Sequence, residues 1–365
     1  MKVYITIIAI FTLLLTLIPM IVFLVSPNDI SKNDTSPEKS FILGTSSSEN
    51  ITTTVTSFDV PKTTTEQTSQ YNNSIGNSQD VFKVLNVANN EVMSVSARDY
   101  VIGSVCAEMP ISFNVESLKA QAIVSYTYAV RLKEQQKLSP NDSLHGADFS
   151  NDSNKYQAYY TNEQLKNLYG SNYDEYYKKV STAVDEVLGK VIVYSDELIV
   201  PVFHSISCGK TENAKNVWGY DIPYLVSVDS SQDIQSTQFE DVKTFTPNEL
   251  KARFSSIYSD IYFNDDKNSW ISVQSVTDVG TVINVLVGNK SISGQDFRNA
   301  LSLRSSAFEV SYNGDTFTIT TKGYGHDVGM SQYGANYLAE DGKTYEQIIK
   351  TYYSGVEIVN IDDIS

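Results

Sequence analysis

Hydrophobic and polar positions divide the chain into three stretches of different character. Residues 3–25 form an uncharged, mostly aliphatic run of about 23 residues, long enough for the ~30 Å hydrocarbon core of a bilayer. No Ala-x-Ala site follows the run, which favours an uncleaved anchor over a cleaved signal peptide. Lys2 precedes it, and Asp29, Asp34 and Glu38 follow it. The positive-inside rule therefore sends the rest of the chain outside the cytoplasm. Residues 26–79 are rich in Ser, Thr, Asn and Asp, with few large apolar side chains. Such a segment buries too little apolar surface to offset its ordering entropy and reads as a flexible tether. The expected organisation is an anchor at 1–25, a tether at 26–79 and a folded domain at 80–365.

Within that domain the hydrophobic period switches between two and 3.6. Alternation from Val81 to Val87, the Asn89-Asn90 turn and the apolar positions at 92–95 predict a hairpin. Ser96-x-x-Asp99 has the form of a capping box and opens a helix to about Met109, where Pro110 stops it. A second helix is expected over 115–136, with Leu118, Ala122, Ser125, Ala129 and Leu132 on one face. A third covers 174–188 and ends at Gly189. Residues 191–194 and 199–203 read as a hairpin around Ser195-Asp196-Glu197. Further strands are expected at 270–276, at 281–287 and beside the Asn313-Gly314 turn. Helices at 332–340 and 345–353 close the chain, the second with Thr344 and Gln347 as a capping box. Mixed helices and antiparallel hairpins give an α+β class in one compact domain, rather than alternating βαβ units. The stretch 232–291 reads either as a sub-domain or as an insertion.

Composition narrows the partners. The hydrophobic share of 41% over 365 residues permits a real core. With 27 basic and 43 acidic residues the formal charge is -16, and no Lys/Arg run relieves it, which argues against nucleic acid. A neutral polymer such as a glycan meets no such barrier, and 24 tyrosines offer flat faces for sugar rings. Cys106 and Cys208 could be one disulfide or two buried thiols.

Three segments carry candidate chemistry. Val101, Ser104, Val105 and Glu108 share a helix face, which puts a carboxylate on an inward stripe at the helix C-terminus. Apolar neighbours and the negative end of the dipole both disfavour the ionised form, so its pKa should rise. A carboxylic acid kept protonated near neutral pH suits a glycosidic leaving oxygen. The alternative is a Glu at the rim of the stripe, reaching water or pairing with an Arg. Residues 204–213 (His-Ser-Ile-Ser-Cys-Gly-Lys-Thr-Glu-Asn) follow a strand as a loop of small hydroxylated residues suited to a polar ligand. No Gly-x-Ser-x-Gly surrounds Ser205, and on a continuing strand it points away from His204, which argues against a Ser/His nucleophile. Residues 323–335 are glycine-rich and open a helix whose free N–H groups could meet a ligand, or simply close a turn. No Lys-Ser/Thr pair follows, so this is not a phosphate loop. His145, His204 and His326 lack Cys-x-x-Cys or His-Glu-x-x-His spacing, and no metal site is expected.

Taken together, these blocks resemble the stage II sporulation protein D family. The resemblance rests on Tyr100-Val101-Ile102 through Ala107-Glu108-Met109-Pro110, and on the run from Glu116 to Ala122. It continues with His204-Ser205-x-Ser207-x-Gly209-x-Thr211-Glu212-Asn213, Val217-Trp218-Gly219 and Pro223-Tyr224-Leu225, and with Gly325-His326 through Ala335. It spans about residues 81–359 in the same order. The resemblance implies a membrane-tethered lytic transglycosylase that cuts the MurNAc–GlcNAc bond of peptidoglycan during forespore engulfment. Its location would be single-pass in the cell membrane, with the catalytic domain between the mother-cell and forespore membranes. Residues 80–365 would be that domain, and Glu108 its catalytic acid. Glu108 would protonate the leaving oxygen, then accept the proton of the muramyl C6 hydroxyl to leave a 1,6-anhydro end. Ser205, Ser207, His326, Gln332 and Tyr333 would line the glycan-binding groove.

The implied partners are peptidoglycan glycan strands, a P-type sporulation amidase that first strips stem peptides, and a membrane-embedded engulfment protein. No cofactor is implied. Two departures stand out. Many relatives carry Arg where this chain has Tyr126. Some bind zinc through cysteine and histidine in the loop after His-Gly-Ala-Asp, whereas His145-Gly146-Ala147-Asp148 here leads on without cysteine, so no zinc is expected. An alternative on the same fold is a non-catalytic amidase enhancer, or a wall-binding module. A hydrolase would need a second carboxylate, for which Glu212 is the candidate.

Overall fold

A helix that is buried on every side must be surrounded by other elements. Val115–Leu138 is such a helix, with almost every residue from Ser117 to Val130 buried. In the computed structural model, which describes residues 81–364, it packs against four helices and a strand. These are Ala97–Glu108, Tyr173–Asp185, Gln332–Glu340, Tyr345–Tyr352 and the strand Lys190–Tyr194. The expected one-sided stripe is thus too narrow for both of the first two helices. In Ala97–Glu108 the buried set runs unbroken from Tyr100 to Cys106.

Small sheets close over this helical core. Val81–Asn86 and Glu91–Ser96 form the expected antiparallel hairpin, and Phe149–Ser150 adds a short parallel strand. Phe82, Tyr100 and Phe149 meet beneath it with ring centroids 5.0–5.7 Å apart. Tyr126, standing where an Arg was noted in relatives, is buried beside Phe82 at 6.2 Å. Lys190–Tyr194 pairs with Glu197–Leu198 and with Glu357–Asn360. Ser195 and Asp196 both have positive φ (51° and 65°), as a two-residue hairpin turn requires.

This hairpin is shorter than the sequence suggests. Pro201 has no N–H to continue the ladder. Phe203–His204 instead pairs in parallel with Met330–Ser331, far along the chain. That pairing brings the two polar loops together.

Residues 240–322 build a second apolar core of their own. Two three-stranded antiparallel sheets and the helices Pro247–Ile257 and Gly294–Leu301 surround Phe254, Trp270, Phe297 and Phe317. Both bounds of this segment lie further along the chain than the 232–291 stretch that the sequence left as a sub-domain or an insertion. Its first and last strands in sequence pair Glu240 with Lys322, so the chain leaves and re-enters the main core at one place. Overall the architecture is mixed α/β with mainly antiparallel sheets.

The single-pass membrane location needs correcting. Among the described residues no helix is long and apolar enough to cross a membrane, and the run at 3–25 and the tether at 26–79 lie outside them.

Candidate active site

Glu108 is the last residue of its helix. Met109 caps the end in an extended conformation, the geometry favoured before proline, and its N–H returns to the Val105 carbonyl at 2.9 Å. Lys179 then steadies the outgoing loop by donating from Nζ to the carbonyls of Ile111 (2.6 Å) and Phe113 (2.7 Å). Gln332 anchors the helix end from the other side. Its Nε2 donates to the Glu108 backbone carbonyl at 3.0 Å and lies 3.4 Å from Gln121 Oε1. That contact satisfies one of the orphan carbonyls of a helix terminus.

The carboxyl itself has one protein partner among the described residues. The Ala158 N–H donates to Oε1 at 2.6 Å, and Oε2 accepts nothing. Glu108 is only partly exposed, and removal from water raises its pKa from 4.5 to about 7, against the lowering effect of the Ala158 N–H. The rise is in the direction that the sequence predicts. Among the described residues no Arg shifts its pKa, which speaks against the ion-pair alternative.

The segment that delivers Ala158 lies flat on the helix only because residue 103 is glycine. A Cβ at Gly103 would overlap the Tyr160 carbonyl oxygen and come within 2.6 Å of the Tyr159 ring. Tyr160 N–H bonds the Gly103 carbonyl at 3.2 Å, and the buried Gln157 amide donates to Tyr100 OH (2.9 Å) and to the Ser125 carbonyl (3.1 Å). Nothing local in the sequence marks Ala158, because its role is a backbone donor fifty residues away. Gly103, a glycine inside a strong helix pattern, is the one signal that could have flagged a close crossing.

The other expected site residues fall into two groups. Tyr333 N–H and Ser331 Oγ both donate to the Ser205 carbonyl (3.0 and 3.3 Å), which joins Ser205, Gln332 and Tyr333 to the end of the Glu108 helix. Tyr333 meets Phe113 edge-on at 5.0 Å, and its hydroxyl accepts from Gln238. His326 sits in the adjoining loop, 5.7 Å from the His204 ring and 5.6 Å from Trp218. Its Nδ1 accepts from Val328 N–H and its ring also bonds the Phe203 backbone; burial holds it well below the usual imidazole range, hence neutral.

Ser207 does not line a groove. It is fully buried, its Oγ accepts from Gly209 N–H, and its own N–H donates to Asp233 at 2.8 Å. Its place is inside the loop, as a brace. Gln332 likewise is nearly buried and spends its amide on protein groups. Glu212 is buried with both oxygens committed, to Asn213 N–H and Asn216 Nδ2 at Oε1, and to Thr277 Oγ1 at Oε2.

His326 and Asp327 border a cleft of about 230 Å³ whose facing wall is Thr281, Asn284, Gln295 and Ser306 of the second core. Those four residues had no local motif to announce them. Cys106 and Cys208 are both free thiols, and burial pushes Cys106 up to about 12. Among the described residues no three His, Cys, Asp or Glu side chains cluster as a metal site.

Comparison with known proteins places the chain in a family. A family model described as Stage II sporulation protein (SpoIID) matches residues 86–194. Stage II sporulation protein D of Bacillus subtilis is 38% identical over 281 residues, 76% of this chain and 79% of the relative. The protein of the same name from Bacillus amyloliquefaciens is 39% identical over 279 residues, 76% and 78% of the two chains. The amidase enhancer of Bacillus subtilis is more distant, 25% identical over 306 residues, 71% of this chain and 40% of that protein. With 38–39% identity over about three quarters of each chain, this chain belongs to the stage II sporulation protein D family.

Proposed function

We propose that residues 80–365 form a lytic transglycosylase domain that cleaves the MurNAc–GlcNAc bond of peptidoglycan during forespore engulfment, with Glu108 as acid and then base. The observation that carries this reading is the Glu108 carboxyl, pushed up to about 7 by burial and with Oε2 unclaimed. Protonated Oε2 donates to the glycosidic oxygen as the muramyl C1–O bond breaks, and the GlcNAc hydroxyl departs. The carboxylate then takes the proton of the C6 hydroxyl as that oxygen bonds to C1, which closes the 1,6-anhydro ring and restores the acid. The charge exists only between the two transfers, so surroundings that favour the neutral form favour both end states.

One carboxylate suffices, and Glu212 is too enclosed to activate water, which supports transglycosylation over hydrolysis. Ser205, His326 and Tyr333 are proposed to contact the sugars. Gln332 and Ser207 act as positioning residues for the acid and for the loop. A P-type sporulation amidase and a membrane-embedded engulfment protein are the proposed partners. The likeness to an amidase enhancer favours a second reading, in which the chain stimulates an amidase without cutting glycan itself.

Digestion of peptide-free glycan strands, with the ends analysed by mass, separates the readings. The native protein should release 1,6-anhydro ends, and Glu108→Ala should slow release by about 10²–10⁴-fold. Equal rates would remove Glu108 from the mechanism. Reducing ends would mean a hydrolase, and amidase stimulation without any cleavage would mean an enhancer.

A further inference from the structure

The strand Glu91–Ser96, the first turns of Ala97–Glu108 and the segment 159–162 enclose a second cleft, of about 260 Å³. We propose that it binds a neutral sugar ring, such as N-acetylglucosamine within a glycan strand, at a site separate from Glu108.

Its lining has the two properties a pyranose needs. Tyr159, Tyr160 and Tyr177 supply flat apolar faces for the C–H side of the ring. Tyr159 is fixed by stacking on Tyr100 (5.2 Å, 23° between planes), while Tyr160 is 37% exposed at the mouth. Ser94, Asp99 and Asn162 on the exposed rim add hydroxyl, carboxylate and amide groups that can meet several sugar hydroxyls.

Charge then selects the ligand class. No Lys or Arg lines the cleft. Arg98, next in sequence to Asp99, is held in a paired contact with Asp185 at 2.6 and 2.8 Å, and its guanidinium also lies 3.5 Å from the Tyr177 hydroxyl. The Arg98 charge is thus already met by Asp185, and Asp99 repels phosphates and peptide carboxylates. Asp99 Oδ2 already accepts from Ser96 Oγ at 2.7 Å, which weakens its hold on an ammonium group. A neutral polyol is what remains.

Position separates this cleft from the acid. Asp99 and Glu108 lie nine residues apart on one helix, hence about 180° apart around its axis and roughly 13 Å along it. The two places still share a wall. Residues 157–160 present the Ala158 N–H to Glu108 at one end and the two tyrosines to the cleft at the other. A ring seated against Tyr159 and Tyr160 would press that segment onto Gly103 and steady the contact to the acid. Binding here requires no cleavage, so the inference goes beyond the proposed activity and does not depend on it.

The test is a titration of the full chain carrying Glu108→Gln with tri-N-acetylchitotriose, followed by amide NMR shifts. Saturable shifts at Ser94, Asp99 and Asn162 are expected. Ser94→Trp, a rim substitution that fills the mouth, should weaken them at least tenfold, and Tyr177→Ala, which removes one face, should do so independently. Shifts that miss these amides, or survive both substitutions, would overturn the proposal. So would a response to 1,5-diaminopentane in place of the sugar. Sugar-dependent shifts in a protein whose native form yields no anhydro ends would uphold the cleft and refute the transglycosylase reading alone.

Discussion

Replacing Glu108 by Gln keeps the side-chain shape and an acceptor for the Ala158 N–H but removes the titration. Burial moves the carboxyl from 4.5 to about 7, so the folded protein keeps a proton that the unfolded chain has already lost. The stability held by that proton is complete below pH 4.5 and disappears as pH rises through 7. At ~1.4 kcal/mol per pH unit the full shift is about 3 kcal/mol. Solvent reaching the open Oε2 side brings the expected loss to roughly 1–3 kcal/mol. Gln has no such dependence, so between pH 4 and pH 8.5 the variant should gain that amount of stability relative to the native protein. At pH 4 the two should differ only by a constant. His204 and Asp327 titrate in both proteins and cancel in the difference. Urea unfolding at half-unit intervals from pH 4 to 8.5 gives the curve, and thermal melts should show a Tm gain of about 2–9 °C at the alkaline end. A flat difference would mean that Glu108 is already ionised at neutral pH, and the general-acid role would go with it.

Other outcomes follow from the same contacts. Gly103→Ala should push residues 157–160 off the helix, destabilise the protein by about 1–3 kcal/mol and, by loosening the Ala158 contact, shift the alkaline limb of the pH–rate profile upward. A profile that keeps its midpoint would show that Ala158 does not tune the acid. Gln332→Leu should lower kcat on the order of tenfold with little change in KM, because the acid is displaced while the sugar contacts persist. An effect confined to KM would instead make Gln332 a substrate contact.

Local signals in the sequence described much of the helical scaffold. Thr344 and Gln347 form the expected reciprocal cap, and the Ser96 hydroxyl caps Asp99 N–H at 3.1 Å, although Asp99 bonds back to that hydroxyl and not to the backbone. Thr161 with Gln164, and Thr246 with Glu249 after Pro247, carry the same signature and open two further helices, Asn162–Tyr169 and Pro247–Ile257. Their flanking apolar stripes are short, which hid them. What the sequence could not convey was long-range. The parallel pairing of Phe203–His204 with Met330–Ser331 depends on Gly325 and Gly329 lying against His204 and Val202, and periodicity within either segment is blind to that. For the same reason the enclosure of Glu108 could be anticipated but not its partner, and Ser207 looked like a ligand residue until its burial was known.

The register match of Glu240 with Lys322 has a further consequence. A segment whose two ends meet behaves as a cassette, exchangeable for a short turn without unthreading the helices around Val115–Leu138. Mutation can therefore reshape the wall formed by Asn284 and Gln295 while the proton-handling machinery keeps its geometry, so ligand preference and chemistry are free to evolve on separate parts of one chain.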